Sequence, residues 1–358
     1  MKSKLACMGI LTLNLIAADR LAYIGTYTRP AGSKGIYMVH VDTATGKLSN
    51  PALAAESENP SFLVLSKNGK FLYAVNEIND GDVSAFAVEP SGTLRFLNKV
   101  KSKGDAPCHL NLDDTGKWLA VANYSSGSAA IFPVAADGKL GEAASTVQHK
   151  GKSVNAGRQS SSHAHAAYFS SDNRSLYIAD LGLDQVKIYS FDAKSGKIAE
   201  TSMLETPKGA GPRHLALGQN GLVYVLNEMG SSVSVFQNGK LRNTVSAIPS
   251  DYKGNTSGAE IVLHPKGTLL FSSNRGHDSI SIFRADPATG DLTLLGQQPL
   301  GGKVPRGFTL TPDGKFLIAG AQNSDKVFSF QIDLAAGKLI PVGGSVAVGS
   351  PVDVRFAR

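Results

Sequence analysis

One sequence pattern recurs along almost the whole chain and constrains its fold more than any other feature. The pattern starts at a short apolar run, passes through a turn of the D-x-G-K or N-G-K type, and continues into a second apolar run. Successive copies are 46 or 47 residues apart, except for one interval of 58 residues. A period in this range indicates a repeat architecture. The copies begin at Pro60, Pro107, His165, Pro212, Gly258, Pro305 and Pro351.

Each repeat predicts four antiparallel strands. The two apolar runs are followed by a run that alternates between two faces, such as DVSAFAV at 82–88, and then by a glycine-rich turn and a fourth run. The 38 glycines and 16 prolines suit a chain with many tight turns. Four antiparallel strands in a unit of about 46 residues form one blade of a β-propeller. The predicted fold class is therefore all-β, a seven-bladed β-propeller.

The two ends of the chain are predicted to share the last blade. Six complete repeats begin at residue 60, the fragment 351–358 supplies one innermost strand, and the segment from residue 21 supplies three more. Joining both ends in one sheet closes the ring and removes exposed edge strands. We therefore expect residues 19–358 to form a single propeller domain, and not an open β-array or two separate β domains.

Residues 1–18 have the pattern of a secretory signal peptide. Two lysines precede an apolar run at 5–16, and Ala17 and Ala18 follow it. This pattern predicts a periplasmic or secreted protein. The alternative is an N-terminal extension of a cytoplasmic protein.

The charge of the chain limits the classes of partner. The formal net charge is +7, but the basic residues are dispersed and form no cluster with stacking aromatic residues. Nucleic-acid binding would need such a cluster. Beyond the N-terminus, no apolar run is long enough to cross a bilayer. We expect no nucleic-acid or membrane partner, and a monomer that binds a small anionic molecule.

The repeat also locates a candidate site. The first strand of each blade lines the central channel of a propeller, so equivalent residues at its start meet at one mouth. The second strand ends near the same mouth, because it follows after one hairpin. Charged and imidazole side chains recur at both places. The candidates are His109, His163, His165, His214, Asp180, Arg213, Arg275, Arg306, Glu77, Glu228 and Glu260.

These side chains suit an anionic ligand. Arginine binds carboxylate or phosphate in a bidentate manner, and histidine can act as a base near neutral pH. A structural alternative is open for four of the residues at this mouth, which could hydrogen-bond adjacent blades. These are Glu77, Asn123, His109 and Asp180. Substrate-binding roles are predicted for His163, His214, Arg275, Glu260, Asp180 and His109.

At these residues the chain resembles the lactonase family of seven-bladed propellers, which includes propeller-type 6-phosphogluconolactonases and 3-carboxymuconate lactonizing enzymes. The resemblance extends from about Tyr23 to Phe356. The combination of GAGPRH with PRGF is its most specific element. The matching segments are YIGTYT (23–28), HAH (163–165), GAGPRH (209–214), SNR (273–275) and PRGF (305–308).

The resemblance implies a sugar lactonase whose partner is a small anionic lactone or carboxylate. It also implies the catalytic residues, which by motif are similar to His165, Arg213, Glu228 and Arg306. We predict that His165 is the general base and that Glu228 is its orienter or an alternative base. The two arginines would bind the substrate anion and the oxyanion. No G-x-S-x-G motif occurs, so we expect no acyl-enzyme. Phosphorylation of the substrate stays open, because an exported enzyme would not meet a cytosolic phosphosugar.

Two other functions are compatible with the sequence, namely a carboxymuconate-type lactonizing isomerase and a non-catalytic ligand-binding propeller. We expect no cofactor and no metal. An oxygen set of Glu228, Asn123 and Asp180 could hold a metal ion, but neighbouring arginines would oppose a cation. Cys108 lacks an activating motif and is expected to be a buried apolar filler.

Overall fold

The computed structural model describes residues 19–28 and 32–357, so the predicted signal peptide at 1–18 lies outside the described residues. The described chain forms seven antiparallel sheets. The innermost strands of successive sheets contact each other in cyclic order, which closes a ring around a central channel. This confirms the predicted seven-bladed all-β propeller. No helix in the described part of the chain has the length and apolar character needed to cross a membrane.

The blades are numbered here in chain order, and their strands run from the channel outwards. Blades 1 and 2 consist of Leu63–Leu65, Phe71–Asn76, Asp82–Val88, Leu94–Lys101 and of Pro107–Leu112, Trp118–Asn123, Ser128–Pro133, Ser145–Gln148. Blades 3 and 4 consist of Ala164–Phe169, Ser175–Asp180, Gln185–Asp192, Lys197–Glu205 and of Pro212–Leu217, Leu222–Asn227, Ser232–Gln237, Lys240–Ser246.

Blade 5 consists of Ser257–Leu263, Leu269–Arg275, Ser279–Ala285 and Leu292–Pro299. Blade 6 consists of Pro305–Leu310, Phe316–Ala321, Lys326–Asp333 and Lys338–Pro341, with a short strand Val346–Ala347 that also pairs with its third strand, and a 3₁₀ turn Gln322–Ser324. Blade 7 consists of Pro351–Phe356, Arg20–Thr26, Gly35–Val41 and Ala52–Glu56.

Blade 7 joins the two ends of the chain as predicted. Its innermost strand pairs antiparallel with the first strand of the described chain, with Ile24 opposite Val354. Asp353 links this blade to the next, because its Oδ2 accepts a hydrogen bond of 2.8 Å from the backbone N–H of Leu63 in blade 1. The ring is therefore closed by backbone pairing within blade 7 and by a buried carboxylate between blades 7 and 1.

The hydrophobic core lies between blades. The described residues form seven apolar clusters, and each joins two neighbouring blades. Tyr73 and Val83 of blade 1, for example, pack with Leu110 and Val121 of blade 2. Burial of one such side chain contributes about 1.5–3 kcal/mol. Each sheet therefore buries its faces only against its neighbours, and this places the innermost strands side by side around the channel.

The innermost strands share an irregularity at the mouth where they begin. In blades 2, 3 and 4 the pairing with the second strand skips one residue, and the skipped residues are Cys108, His165 and Arg213. Such a β-bulge changes the direction of side chains locally. Adjacent residues at this position therefore have side chains that contact different levels of the channel.

Candidate active site

Two rings of residues surround the channel near this mouth. The upper ring consists of Ser61, Cys108, His165, Arg213, Ala259, Arg306 and Val352. The lower ring consists of the residue that follows in each blade, namely Phe62, His109, Ala166, His214, Glu260, Gly307 and Asp353. A void of only about 10 Å³ touches members of both rings. The predicted site residues are thus divided between two levels.

Glu228 is the centre of the contacts at the upper ring. It directly follows the second strand of blade 4 and is 4 % exposed. Its Oε2 accepts a hydrogen bond from Arg213, lies 3.2 Å from Nη2 of Arg275, and lies 3.9 Å from Nε2 of His165. Its Oε1 accepts a hydrogen bond of 2.7 Å from Nη2 of Arg158. The structure therefore brings together four predicted residues and adds Arg158.

The surroundings of these groups determine their protonation. Burial alone would raise the pKa of Glu228, but Arg213 and Arg275 hold that pKa well below its usual value. Burial lowers the pKa of His165 well below its usual value, and the Arg213 guanidinium lowers it further. Burial lowers the pKa of Arg275 to about 9, so this residue is still a cation at neutral pH. The upper ring thus combines a carboxylate, guanidinium cations and an imidazole that is uncharged at neutral pH.

Arg306 lies beside a second carboxylate. Its Nη2 is 4.0 Å from Oε2 of Glu77, and its guanidinium carbon is 5.3 Å from the centre of the Tyr27 ring. The hydroxyls of Tyr27 and Ser61 both donate to the same oxygen of Glu77. Glu77 therefore has hydroxyl donors of its own, and its contact with Arg306 is at the limit of an ion pair. The side chain of Arg306 is 18 % exposed.

The lower ring contains a separate chain of charged groups. Nδ1 of His214 is 2.9 Å from Oε1 of Glu260, and Oε2 of Glu260 is 3.5 Å from Nη2 of Arg355. The same Arg355 nitrogen is 3.0 Å from Asp353, and the guanidinium carbon is 4.4 Å from the centre of the Phe62 ring. His214 and Glu260 therefore interact with each other and with Arg355, and the contacts of Glu228 involve neither of them.

His109 also belongs to the lower ring. Its imidazole packs against Phe62, Tyr168 and His214, with ring centres 4.3, 4.5 and 5.3 Å away. Burial lowers its pKa well below the usual value. Below this ring the channel widens into a chamber of about 700 Å³ that opens at the opposite face, and Glu260 and Arg355 contribute to its lining. His109 is therefore part of the partition between the upper site and this chamber.

Asp180 faces away from the channel. Its carboxylate lies 2.7 Å from Nδ1 of His149 and accepts hydrogen bonds from the backbone N–H groups of His163 and Gly182. Other blades have an asparagine at this position that bonds to a serine of the same blade. These asparagines are Asn76, Asn123, Asn227 and Asn274. In these blades the residue after the asparagine, such as Glu228 after Asn227, reaches the channel.

His163 lies at the rim of the mouth. Its imidazole stacks on the ring of Tyr124, with centres 4.6 Å apart, and its Nδ1 is 3.0 Å from the Tyr124 carbonyl oxygen. The Tyr124 hydroxyl accepts a hydrogen bond of 3.1 Å from Arg158. His163 is therefore joined to the upper ring through Tyr124 and Arg158.

The glycines of the two specific motifs explain how the arginines are placed. Gly209 and Gly211 have φ values of +80° and +65°, which favour glycine, and their N–H groups donate to the carboxylate of Asp184. This turn leads directly into Arg213. Gly307, which follows Arg306, lies so close to the C-terminal strand that a Cβ atom would be 2.3 Å from the carbonyl oxygen of Val352. The first motif thus allows a tight turn, and the second a close backbone approach, beside an arginine of the upper ring.

The oxygen set considered for a metal is not assembled. Asn123 donates to Ser102 and Ser128, and Asp180 binds His149, so neither joins Glu228. Among the described residues, no group of three or more His, Cys, Asp or Glu side chains could hold a metal ion. Cys108 is buried, and burial raises the pKa of its thiol, so it is not a thiolate at neutral pH.

The sequence analysis missed three residues near the channel. Arg158 lies in the long interval between blades 2 and 3, whose extra length was the available signal. Arg355 is two residues after Asp353 on an innermost strand, so period-two alternation could have identified it. Tyr27 follows the first strand of the described chain in the same way that Glu228 follows its strand.

Comparison with known proteins identifies the family. The family model described as Lactonase, 7-bladed beta-propeller, matches residues 21–356. A 6-phosphogluconolactonase of Bacillus subtilis is 35% identical over 80% of this chain and 83% of that protein, and one of Formosa agariphila is 32% identical over 79% and 84%. The structure of a periplasmic gluconolactonase of Pseudomonas aeruginosa superposes with a TM-score of 0.89 at 32% identity, covering 95% of this chain and 99% of that one. The chain therefore belongs to the lactonase family of seven-bladed β-propellers and is an enzyme of the predicted lactonase class.

Proposed function

We propose that the protein hydrolyses a sugar lactone at the upper ring. The observation that carries this proposal is the convergence of Arg213, Arg275 and a neutral His165 on the single carboxylate of Glu228. Similarity to proteins named 6-phosphogluconolactonase and gluconolactonase supports a sugar lactone as the substrate and hydrolysis as the direction. The carbonyl oxygen becomes negatively charged when the lactone is attacked. The guanidinium groups on this surface would donate hydrogen bonds to it.

In the proposed reaction His165 is the general base. Its Nε2 accepts a proton from water as the water oxygen forms a bond to the lactone carbonyl carbon. Arg213 and Arg306 stabilise the oxyanion, and collapse of the tetrahedral intermediate breaks the bond to the ring oxygen. His165 then returns the proton to that oxygen, which gives the hydroxy acid. The depressed pKa of His165 keeps the imidazole in its basic form at neutral pH.

Glu228 is assigned a positioning role. The sequence predicts Glu228 either as an orienter of His165 or as an alternative base. A base must take up a proton, whereas an orienting carboxylate must stay ionised. Both of its oxygens bind guanidinium groups, and the arginines lower its pKa well below the usual value, so it is a weak base. It would hold Arg213 and Arg275 in place and stabilise the imidazolium that forms on His165, 3.9 Å away.

The test is proton release from lactones in a pH-stat, corrected for spontaneous opening of the ring. Wild-type protein should hydrolyse D-glucono-1,5-lactone or its 6-phosphate, and His165→Gln should lower kcat by about 10²- to 10³-fold, as loss of a general base predicts. His40→Gln is the matched control, because His40 is exposed on the third strand of blade 7, away from the channel. Full activity of His165→Gln would contradict the assignment, and loss of activity on chelation would indicate a metal.

We propose that the enzyme is exported. The signal-like segment at 1–18 and the similarity to a periplasmic gluconolactonase support this location. Mass spectrometry of the protein from the extracytoplasmic fraction should find a mature N-terminus near Asp19. An intact N-terminus in the cytoplasmic fraction would contradict export and leave the lactonase proposal unaffected.

A further inference from the structure

The loop at 149–163, between blades 2 and 3, carries the extra residues of the longest repeat and is firmly anchored. At its start, His149 lies 2.7 Å from Asp180 and 3.0 Å from the Tyr189 hydroxyl. Near its end, Gln159 is fully buried and donates to the Leu181 carbonyl and to Asp184. Buried polar contacts at both ends fix the course of a loop. The residue just before Gln159 therefore has a defined position.

That residue is Arg158, and it reaches over the upper ring. Its Nη2 donates to Glu228 at 2.7 Å and to the Tyr124 hydroxyl at 3.1 Å. Its side chain is 45 % exposed, whereas that of Arg213, bound to the same carboxylate, is 4 % exposed. Both hydrogen bonds use one nitrogen, so Nε and Nη1 face other directions. A guanidinium in this situation can bind a further anion while it keeps its contact with Glu228.

The mouth carries an excess of positive charge, which favours binding of such an anion. Four guanidinium groups and two carboxylates meet there, an excess of two positive charges. These groups are Arg158, Arg213, Arg275, Arg306, Glu228 and Glu77. A neutral lactone would need cationic groups only at its carbonyl. The excess therefore indicates a substrate that carries its own negative group in addition to the oxyanion formed during hydrolysis.

We propose that Arg158 is a specificity-determining residue that binds an anionic substituent of the sugar lactone, remote from the reacting carbonyl. Arg213 and Arg306 belong to the ring inside the channel, and Arg158 lies above it at the exposed edge, so the two places suit opposite ends of one substrate. This inference rests on the proposed lactonase function. The substituent is a phosphate monoester or a carboxylate, because both accept paired hydrogen bonds from a guanidinium group.

The experiment compares three lactones with wild-type and Arg158→Ala protein. They are D-glucono-1,5-lactone, its 6-phosphate, and a glucaric acid lactone that carries a carboxylate. The readout is the ratio of kcat/KM for each anionic lactone to kcat/KM for the neutral one. We expect Arg158→Ala to reduce this ratio by about 10- to 100-fold, the factor for a charged hydrogen bond, mainly through KM. The anionic lactone whose ratio falls more identifies the source of the anion.

Two further variants sharpen the result. Arg158→Lys should recover part of the ratio, because lysine keeps the charge and loses the planar fork. Arg242→Ala, at an exposed position on the outer strand of blade 4, should leave the ratio unchanged. Inorganic phosphate should compete with the anionic substrate, and its inhibition constant should rise by a similar factor in Arg158→Ala.

The outcomes separate this inference from the function on which it rests. If wild-type protein hydrolyses lactones but Arg158→Ala changes kcat/KM equally for neutral and anionic ones, the specificity role is wrong and the lactonase function stands. If wild-type protein hydrolyses the neutral lactone at least as well as both anionic ones, the role is also wrong. If it hydrolyses none of the three, the proposed function fails together with the inference.

Discussion

The upper and lower rings are one residue apart in every blade, yet they differ in how their charges are used. At the upper ring, cations outnumber carboxylates, and Arg158 and Arg275 reach it from outside the innermost strands. At the lower ring, Arg355 is shared by Glu260 and Asp353. The same residue types therefore form a surface with excess positive charge at one level and a cluster of paired charges at the next.

The position of each cluster explains the difference. The lower ring ties distant parts of the chain together, since Asp353 binds the backbone of Leu63 and Glu260 binds His214 of the preceding blade. Its groups are enclosed between the upper ring and the opposite chamber. The upper ring is next to solvent and receives the loop at 149–163, the longest connection between two blades in the described part of the chain. Stability should therefore depend on the lower ring, and activity on the upper one.

The largest effect should come from the upper ring. Arg213→Ala removes a buried cation that contacts Glu228 and faces the proposed oxyanion, so kcat/KM for lactones should fall by about 10³-fold, or about 4 kcal/mol of transition-state stabilisation. Initial rates in a pH-stat measure it, with circular dichroism to verify folding. Arg355→Ala is the counterpart in the lower ring. A comparable loss of kcat/KM in a folded Arg355→Ala protein would contradict the proposal that activity depends on the upper ring and stability on the lower ring.

The next effect concerns stability. Glu260→Ala leaves Arg355 and His214 without their shared carboxylate in a buried place, and it should lower the free energy of unfolding by about 3 kcal/mol. Urea denaturation at neutral pH measures it. Glu200→Ala is the control, because Glu200 forms a surface ion pair with Lys187 that is worth less than about 1 kcal/mol. Equal losses in the two variants would mean that the lower ring is not a stabilising cluster.

The smallest effect is a dependence of stability on pH. Burial lowers the pKa values of His109, His165 and His214 well below 6.5 in the folded protein. The unfolded chain therefore binds protons that the folded chain does not, and stability should fall as the pH drops below about 6.5. Two carboxyl groups act in the opposite direction. Burial raises the pKa of Asp353 to about 6 and also raises that of Glu260, but these two groups are fewer than the three histidines.

The expected net slope is about 1 kcal/mol per pH unit, from one uncompensated proton. Urea denaturation at pH 7.5 and pH 5.5 measures it, and His109→Phe should reduce the slope, since it removes a titrating group without entering the upper ring. A free energy of unfolding that rises on acidification would show that the two carboxylates dominate, and would reverse the expected electrostatic balance of the lower ring.

Much of the architecture could be predicted from the chain alone. The period of 46 or 47 residues determines the number of blades, and the partial repeats at the two ends determine how the ring closes. Because equivalent residues of a propeller recur around one axis, the same period placed His165, Arg213, Arg306 and Glu228 near one mouth. Sequence spacing could locate these residues because strand order and blade position follow from it.

The composition of the site depended on the tertiary structure in two ways. A β-bulge of one residue decides whether a side chain joins the upper or the lower ring, and so Arg213 contacts Glu228 while His214 contacts Glu260. Asp180 faces the blade, although its position at the end of a second strand predicted that it reaches the channel.

The repeat pattern by itself thus determined the fold and the mouth at which the chemistry is proposed. Only the tertiary structure decided that Arg158 completes that mouth, because the course of its loop depends on contacts such as Gln159 with Asp184, 25 residues further along the chain. Strand periodicity is a local property that sequence spacing records. Loop courses and bulge directions are set by packing between segments that are far apart in sequence.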